Sequence, residues 1–320
     1  MNHPLQRSRQ NLSRRCVVFV AERIELFFHI CVKQNRDGHK IFAADMLRSS
    51  VFSGDEIVKR FRFVQIPPLA FIFGPDTKIV FIETPGNPVM TVTDIKKTAE
   101  LAHSHGALLV VDNTFLTAYY QKPLALGADV VIQSGTKFLA GHNDVLAGFV
   151  TTNNEKIAED MAFITKTTGS MLAPFDSWLT IRGIKTLTVR LEKQSENAAK
   201  LAQYLKTEKL VKKVLYIGLP ETPGHEIHKS QASGFGSMIS IYLDSSKTVE
   251  RFLRKIRIFR YAESLGGVES LATYPLTQTH SEIPEEKRRQ KGITDTLVRL
   301  SVGIENFEDL KNDIKQALED

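Results

Sequence analysis

Short apolar runs alternate with amphipathic stretches over most of the chain. Residues 78–83 (KIVFIE) are β-branched and aromatic and run into Thr84-Pro85-Gly86-Asn87-Pro88, which predicts a strand ending in a turn. Residues 94–105 predict a helix, with Thr93 or Asp94 as N-cap and Gly106 as its stop. Residues 107–111 (ALLVV) predict a second strand ending at Asp112; a short helical stretch then closes at Gly127, before a third strand at 129–133 (DVVIQ). Strands apolar on both faces and alternating with helices predict an α/β fold whose mostly parallel sheet is covered on both sides. Ligands of such sheets gather at the carboxyl ends of the strands.

The pattern then changes. A long helical region is expected over 177–205, interrupted only by Gly183, followed by a strand at 213–217, a helix at 226–231 and a strand at 236–243. A helix at 248–255, a loop holding Gly266-Gly267, a strand at 297–302 and a closing helix at 306–318 complete it. This predicts a large unit over 76–205 that includes the long helix, and a smaller α+β domain over 206–320. No internal repeat is visible.

Residues 1–75 form an atypical segment, predicted to be irregular through about residue 40. They hold 9 of the 19 phenylalanines without steady period, and an apolar run at 16–21 that Glu22, Arg23 and Glu25 interrupt. That run is too short and too charged for a membrane span, and too short for a secretory apolar core. The net charge of +6 sits here as well: residues 1–75 carry 12 Lys/Arg against 6 Asp/Glu, and the rest carries 30 of each. A nucleic-acid groove on the main body therefore has no support. Two cysteines, Cys16 and Cys31, exclude a disulfide scaffold or a thiolate metal site and set a reducing, cytoplasmic expectation.

The polar residues of interest stand at the ends of the apolar strands. Lys137 follows the third strand within SGTKFLAGH at 134–142, where an amine can form an imine with an aldehyde. Ser134 and Thr136 beside it are hydroxyls spaced to bind phosphate oxygens. Asp112 ends the strand before, where a carboxylate can pair with a protonated pyridine nitrogen. The connection between these strands favours parallel, adjacent packing, with Asp112 and Lys137 facing one cavity. Singly, each has a plainer reading as a loop lysine, an N-cap or a turn hydroxyl. The histidines form no metal cluster, and His142 reads as a packing residue.

Together these stretches resemble a family. FIETPGNP at 81–88, VVDNTF at 110–115 and SGTKFLAGH at 134–142 are similar to the Cys/Met-metabolism group of pyridoxal-phosphate enzymes, which includes cystathionine γ-lyase, cystathionine β-lyase, cystathionine γ-synthase and methionine γ-lyase. RGIKTL at 182–187, QASGFG at 231–236, AESLGGVES at 262–270 and LVRLSVG at 297–303 continue it in the family's order, over about residues 76–320. The resemblance implies a fold-type I, transferase-like architecture, pyridoxal 5'-phosphate and an amino-acid substrate. It implies that Lys137 holds the cofactor and shuttles protons, that Asp112 pairs with the ring nitrogen, and that Ser134 and Thr136 hold part of the phosphate. Asn87 would lie by the cofactor's phenolic oxygen or the substrate carboxylate. Arg299 would clamp that carboxylate with help from Ser264, and Glu263 would lie by the distal end of the substrate.

The family also uses an N-terminal Tyr-x-Arg segment, a Ser-Gly-Met turn and a ring-stacking tyrosine. The first tyrosine here is Tyr119, and only GDEIV at 54–58 is similar to the family's N-terminal third. The chain is shorter than the family by very roughly 70 residues, which suggests truncation, rearrangement or a divergent N-terminus. The expected function is a carbon–sulfur lyase of trans-sulfuration acting on cystathionine or a related sulfur amino acid, in a homo-oligomer (dimer or tetramer). A synthase-type γ-replacement on an activated homoserine, and a catalytically impaired, dimerising remnant, are the alternatives.

Overall fold

The computed structural model describes residues 77–319 and the backbone of Val17–Ala21. The expectations for the rest of residues 1–75 lie outside the described residues. Within that segment Val17–Ala21 forms a strand, β1, an exception to the irregular reading.

Two five-stranded sheets make up the described structure. In the first, β2 (Ile79–Glu83), β3 (Leu108–Asp112) and β4 (Val130–Ser134) are parallel neighbours. Strand β5 (Gly148–Thr152) joins β4 antiparallel, and β1 pairs antiparallel with β5 at the edge. The order is β1-β5-β4-β3-β2. The sheet is therefore mixed, half of its pairings parallel, rather than mostly parallel. Strand β5, which the hydrophobic pattern does not announce, brings the antiparallel half.

Cover on both faces explains why β3 and β4 are apolar up to their last one or two residues. Helix α1 (Ile95–Ser104) starts where the Asp94 side chain accepts the Lys97 N–H, an N-cap worth about 1 kcal/mol. Its buried stripe of Ile95, Thr98, Ala99 and Ala102 lies on one face of the sheet, against Val80, Ile82, Leu109, Val111 and Val131. On the other face Val110, Val130, Ile132 and Val150 pack with Ile157 of α3 (Glu155–Thr168). A short helix α2 (Thr117–Tyr120) and a single 3₁₀ turn (Pro123–Leu126) connect β3 to β4.

The long helix expected over 177–205 is two helices, α4 (Pro174–Ile184) and α5 (Leu187–Leu205). The break follows from competition for one carbonyl. Gly183 O accepts the Thr186 hydroxyl and an Arg190 Nη2–H instead of continuing a regular ladder. Gly183 is also required by space, because a Cβ there would meet the Ala140 carbonyl.

The second sheet has the order β6-β7-β10-β9-β8, from β6 (Val211–Leu215), β7 (Met238–Leu243), β8 (Arg260–Tyr261), β9 (Leu271–Thr273) and β10 (Leu297–Ser301). The strand expected at 213–217 lies two residues earlier, with a register shift between Val211 and Lys213. Helix α6 (His225–Gln231) precedes β7, and the short helix α8 (Glu285–Gln290) precedes β10. Helices α7 (Ser246–Lys255) and α9 (Phe307–Leu318) pack on the sheet with the C-terminal half of α5. Ala198, Leu201 and Leu205 of α5 meet Ile239, Ile241, Phe252, Leu300 and Ile314 there. Each such large side chain contributes roughly 1.5–3 kcal/mol by leaving water. The other end of α5 reaches the turn after β4, where Leu191 packs with Phe138.

Candidate active site

The carboxyl ends of β2, β3 and β4 present Glu83, Asp112 and Ser134. Asp112 is in register with Glu83 on one side and with Ile132 of β4 on the other. Asp112 thus lies on the strand beside the one that leads to Lys137, as the sequence predicts. Its carboxylate accepts the Thr114 N–H at 2.9 Å and a bond from the Thr114 hydroxyl. The same hydroxyl oxygen accepts the Ser134 N–H at 2.9 Å, so Thr114 ties the end of β3 to that of β4.

Lys137 sits in the turn Gly135–Leu139, directly after β4, at a kink where its own backbone (φ −95°, ψ −128°) leaves the helical region. Arg190 of α5, 4% exposed, donates to Phe138 O at 2.9 Å and to Leu139 O at 3.3 Å, holding the turn from behind. Gly141 keeps that room open, since a Cβ would strike the guanidinium.

The Lys137 Nζ donates to Ser264 Oγ at 2.9 Å. Ser264 belongs to the loop between the short strands β8 and β9 and has φ +93°, a left-handed conformation costly for a non-glycine residue. That conformation lets one residue meet two cations. Its hydroxyl takes the lysine, while its carbonyl takes Arg299 Nη2 at 2.7 Å. Arg299 of β10 is 1% exposed and also donates to Thr273 Oγ1 at 2.9 Å and Asn87 Oδ1 at 2.8 Å. Its Nε has no partner. A buried guanidinium bonded only to neutral oxygens leaves a positive charge for an anion to meet.

The electrostatics follow from burial. Glu83 is pushed up to about 8, by desolvation first and then by Asp112, against an Asn87 N–H bond and Arg299 that lower it. Burial also raises Asp112, opposed by its Thr114 bonds. The Lys137 amine is lowered by burial and by Arg299, with Glu263 acting the other way. Arg299 falls to about 10 through burial, with Glu83 and Glu263 opposing.

The structure therefore brings together Lys137, Ser264, Arg299 and Asn87 by direct bonds, and places Asp112 beside Glu83. Glu263 is exposed nearby and acts on Lys137 and Arg299 through its charge. Thr136 is turned elsewhere: its N–H and its hydroxyl both donate to Ala147 O, at 3.1 and 3.4 Å. His142 is exposed, with Nδ1 on Ala140 O at 2.7 Å. Glu83, Thr114 and Arg190 went unnoticed in the sequence. Glu83 and Thr114 stand inside the quoted motifs, and in-register strand ends were the available signal.

A desolvated amine and an acidic pair at strand ends, with a buried guanidinium from the middle of β10, form a donor set suited to an aldehyde cofactor with a basic nitrogen and to a carboxylate ligand. The chain belongs to the family of Cys/Met metabolism PLP-dependent enzymes, whose sequence profile matches residues 57–319. That match begins inside the segment that patterning sets apart. The chain is 52% identical over 247 residues to cystathionine β-lyase of Lactococcus lactis subsp. cremoris (strain MG1363), covering 77% of this chain and 65% of that one. It is 49% identical over 245 residues to cystathionine γ-lyase of Bacillus subtilis (strain 168), with the same coverage of 77% and 65%. The crystal structure of cystathionine γ-lyase from Lactobacillus plantarum complexed with L-serine superposes with a TM-score of 0.76 at 42% identity, over 77% of this chain and 65% of that one. The chain thus spans just under two thirds of the length of these relatives. Pyridoxal phosphate is the family's cofactor, and the residues present fit its aldehyde through Lys137 and its basic nitrogen through Asp112. No helix among the described residues is long and apolar enough to cross a membrane, and no cluster of potential metal ligands occurs among them.

Proposed function

We propose that the chain acts as a pyridoxal-phosphate-dependent carbon–sulfur lyase on cystathionine or a related sulfur amino acid. The observation that carries this reading is Ser264, on which the Lys137 amine and the buried Arg299 converge from the two sheets. The printed names of the relatives, a β-lyase and a γ-lyase of cystathionine, support the substrate class.

When bound, pyridoxal phosphate supplies an electron sink for negative charge developing on the amino-acid α-carbon. Lys137 accepts the α-proton and returns it; burial and the Arg299 charge lower its proton affinity toward the range where an amine does both. Asp112 would hold the positive charge of the ring nitrogen. Ser134 and Thr136 would serve the phosphate end. Arg299 binds the substrate carboxylate, its planar fork oriented by Asn87, Ser264 and Thr273. Glu263 faces the distal, sulfur-bearing end.

The reading includes a large cofactor domain over 76–205, a smaller substrate domain over 206–320 and a cytoplasmic setting. It also includes self-association, supported by the exposed apolar side chains of Phe175, Trp178, Ile181 and Ile184 on α4. The test is purified protein with added pyridoxal phosphate. A visible absorption band of the lysine-bound cofactor, borohydride label on residues 134–142, and cystathionine-dependent release of thiol and ammonia are expected. Label on another lysine overturns the assignment of Lys137, and absent turnover overturns the lyase.

A further inference from the structure

Strands β2 and β3 run parallel and in register to their ends, so Glu83 lies directly opposite Asp112. Paired residues of neighbouring strands share a face, with strands roughly 4.8 Å apart. Two partly buried carboxyls so placed repel each other and cannot both ionise cheaply. Their surroundings differ. Asp112 receives two bonds from Thr114, from the N–H and from the hydroxyl, and these favour its charged form. Glu83 receives one, from the Asn87 N–H. Arg299, the charged group facing Glu83 from β10, has no ion pair with it within 4.0 Å and gives its Nη donors to Asn87, Ser264 and Thr273. Lys137 and Glu263 act on Arg299 or are acted on by it, one step further away.

Glu83 is also the start of a chain of bonds. Its carboxyl accepts the Asn87 N–H, the Asn87 Oδ1 accepts Arg299, Arg299 donates to Ser264 O, and Ser264 Oγ accepts Lys137. We propose that Glu83 is a positioning residue of this site, which keeps the one proton held by the Glu83–Asp112 pair near neutral pH and, through the Asn87 N–H, sets the turn that orients Arg299. The charge of the pair is thereby confined to Asp112, where the cofactor's cationic nitrogen is to be met. This rests on the proposed reading of Asp112.

Infrared difference spectroscopy of the full chain, without and with pyridoxal phosphate, tests the proton directly. The wild type is expected to show one protonated-carboxyl absorption at pH 7 that shifts in deuterium oxide and vanishes in Glu83→Gln. In Asp112→Asn its titration midpoint is expected to fall by at least one pH unit. No such band in the wild type, or a band that persists in Glu83→Gln, overturns the proposal; neither result depends on the Asp112 variant folding. The anchoring half is tested by KM. Glu83→Ala should raise KM for the amino acid at least tenfold above that of Glu83→Gln, which can still accept the Asn87 N–H, and equal values overturn it. The two readings fail separately: a correct band without borohydride label on Lys137 removes the lyase reading and leaves the carboxyl pair, whereas label without the band removes the pair alone.

Discussion

The two sheets bring different chemistry to the place where they meet. In the proposed reading the first contributes groups that hold or move protons, Glu83, Asp112 and Lys137, each at or just beyond the carboxyl end of a parallel strand. In that reading the second contributes recognition: Arg299 from the middle of antiparallel β10, and Ser264 from the loop between β8 and β9. Strand ends leave side chains free to be shifted in protonation by neighbours across the register. A mid-strand arginine flanked by β7 and β9 has few ways to move, which suits a residue that must hold a carboxylate in one orientation. The sheets therefore divide proton chemistry from binding, and substitutions on either side should separate kcat from KM.

The largest effect belongs to Lys137. Lys137→Ala should remove the lysine-bound absorption band and lower kcat by at least about 10³-fold, within the span of general acid–base contributions. Its thermal midpoint should change little, because the amine is half-buried and has one hydrogen bond. Single-turnover kinetics and calorimetry on the same preparation check both parts. Next comes Arg299→Lys, which keeps the charge and loses the fork. A charge-assisted bond is worth about 1.5–3 kcal/mol, so KM should rise about 10- to 150-fold. The band should remain. A kcat loss of the same size with KM unchanged would merge the roles that the two sheets keep apart.

Thr114 probes the first sheet internally. Its hydroxyl serves Asp112 and the Ser134 N–H at once. Thr114→Val should lower unfolding stability by about 1–3 kcal/mol, the cost of leaving the Ser134 N–H unpaired, and weaken pyridoxal phosphate binding. KM relative to the cofactor-saturated wild type should hold. Denaturant titration and a cofactor-binding isotherm separate these outcomes.

Legibility differed between the sheets for a physical reason. Strands β2, β3 and β4 are covered on both faces and read as apolar runs up to their last one or two residues, so the strands and where they end were legible from pattern alone. Strand β5, GFVTT, is short and half polar, and its direction is set by pairing with β4 rather than by its own residues. The break between α4 and α5 escaped the pattern because Thr186 and Arg190, at the start of α5, make it through side-chain bonds to Gly183 O that no local period encodes. Lys137 and Asp112 were singled out by their places after and at the ends of apolar strands, and Arg299 through motif resemblance. Their bonding was not legible, since Ser264 lies 127 residues from Lys137 and Asn87 lies 212 from Arg299. Glu83 was visible as the last residue of a strand. Its proton depends on Asp112 across the register, which no local pattern contains.

The remaining expected effect isolates that proton. Glu83 titrates near 4.5 when unperturbed and is pushed up to about 8 in the folded chain. Below pH 4.5 the folded and unfolded states both hold the proton, and the group leaves stability unchanged with pH. Between about 4.5 and about 8 the unfolded chain has released the proton while the folded chain keeps it. The unfolded state then binds fewer protons, so stability falls as pH rises through this window and levels off above it. Glu83→Gln has no proton to lose and escapes the fall. Asp112 remains in both proteins and faces Glu83 across the register, so the comparison reports the carboxyl pair with and without its Glu83 member. Melting curves of the two proteins should therefore lie closest near pH 4.5 and diverge in favour of Glu83→Gln as pH approaches 8. A gap that stays constant with pH would mean that Glu83 is ionised in the folded chain. The carboxyl end of the first sheet would then carry two negative charges, and Arg299, not a shared proton, would be the partner that makes them tolerable.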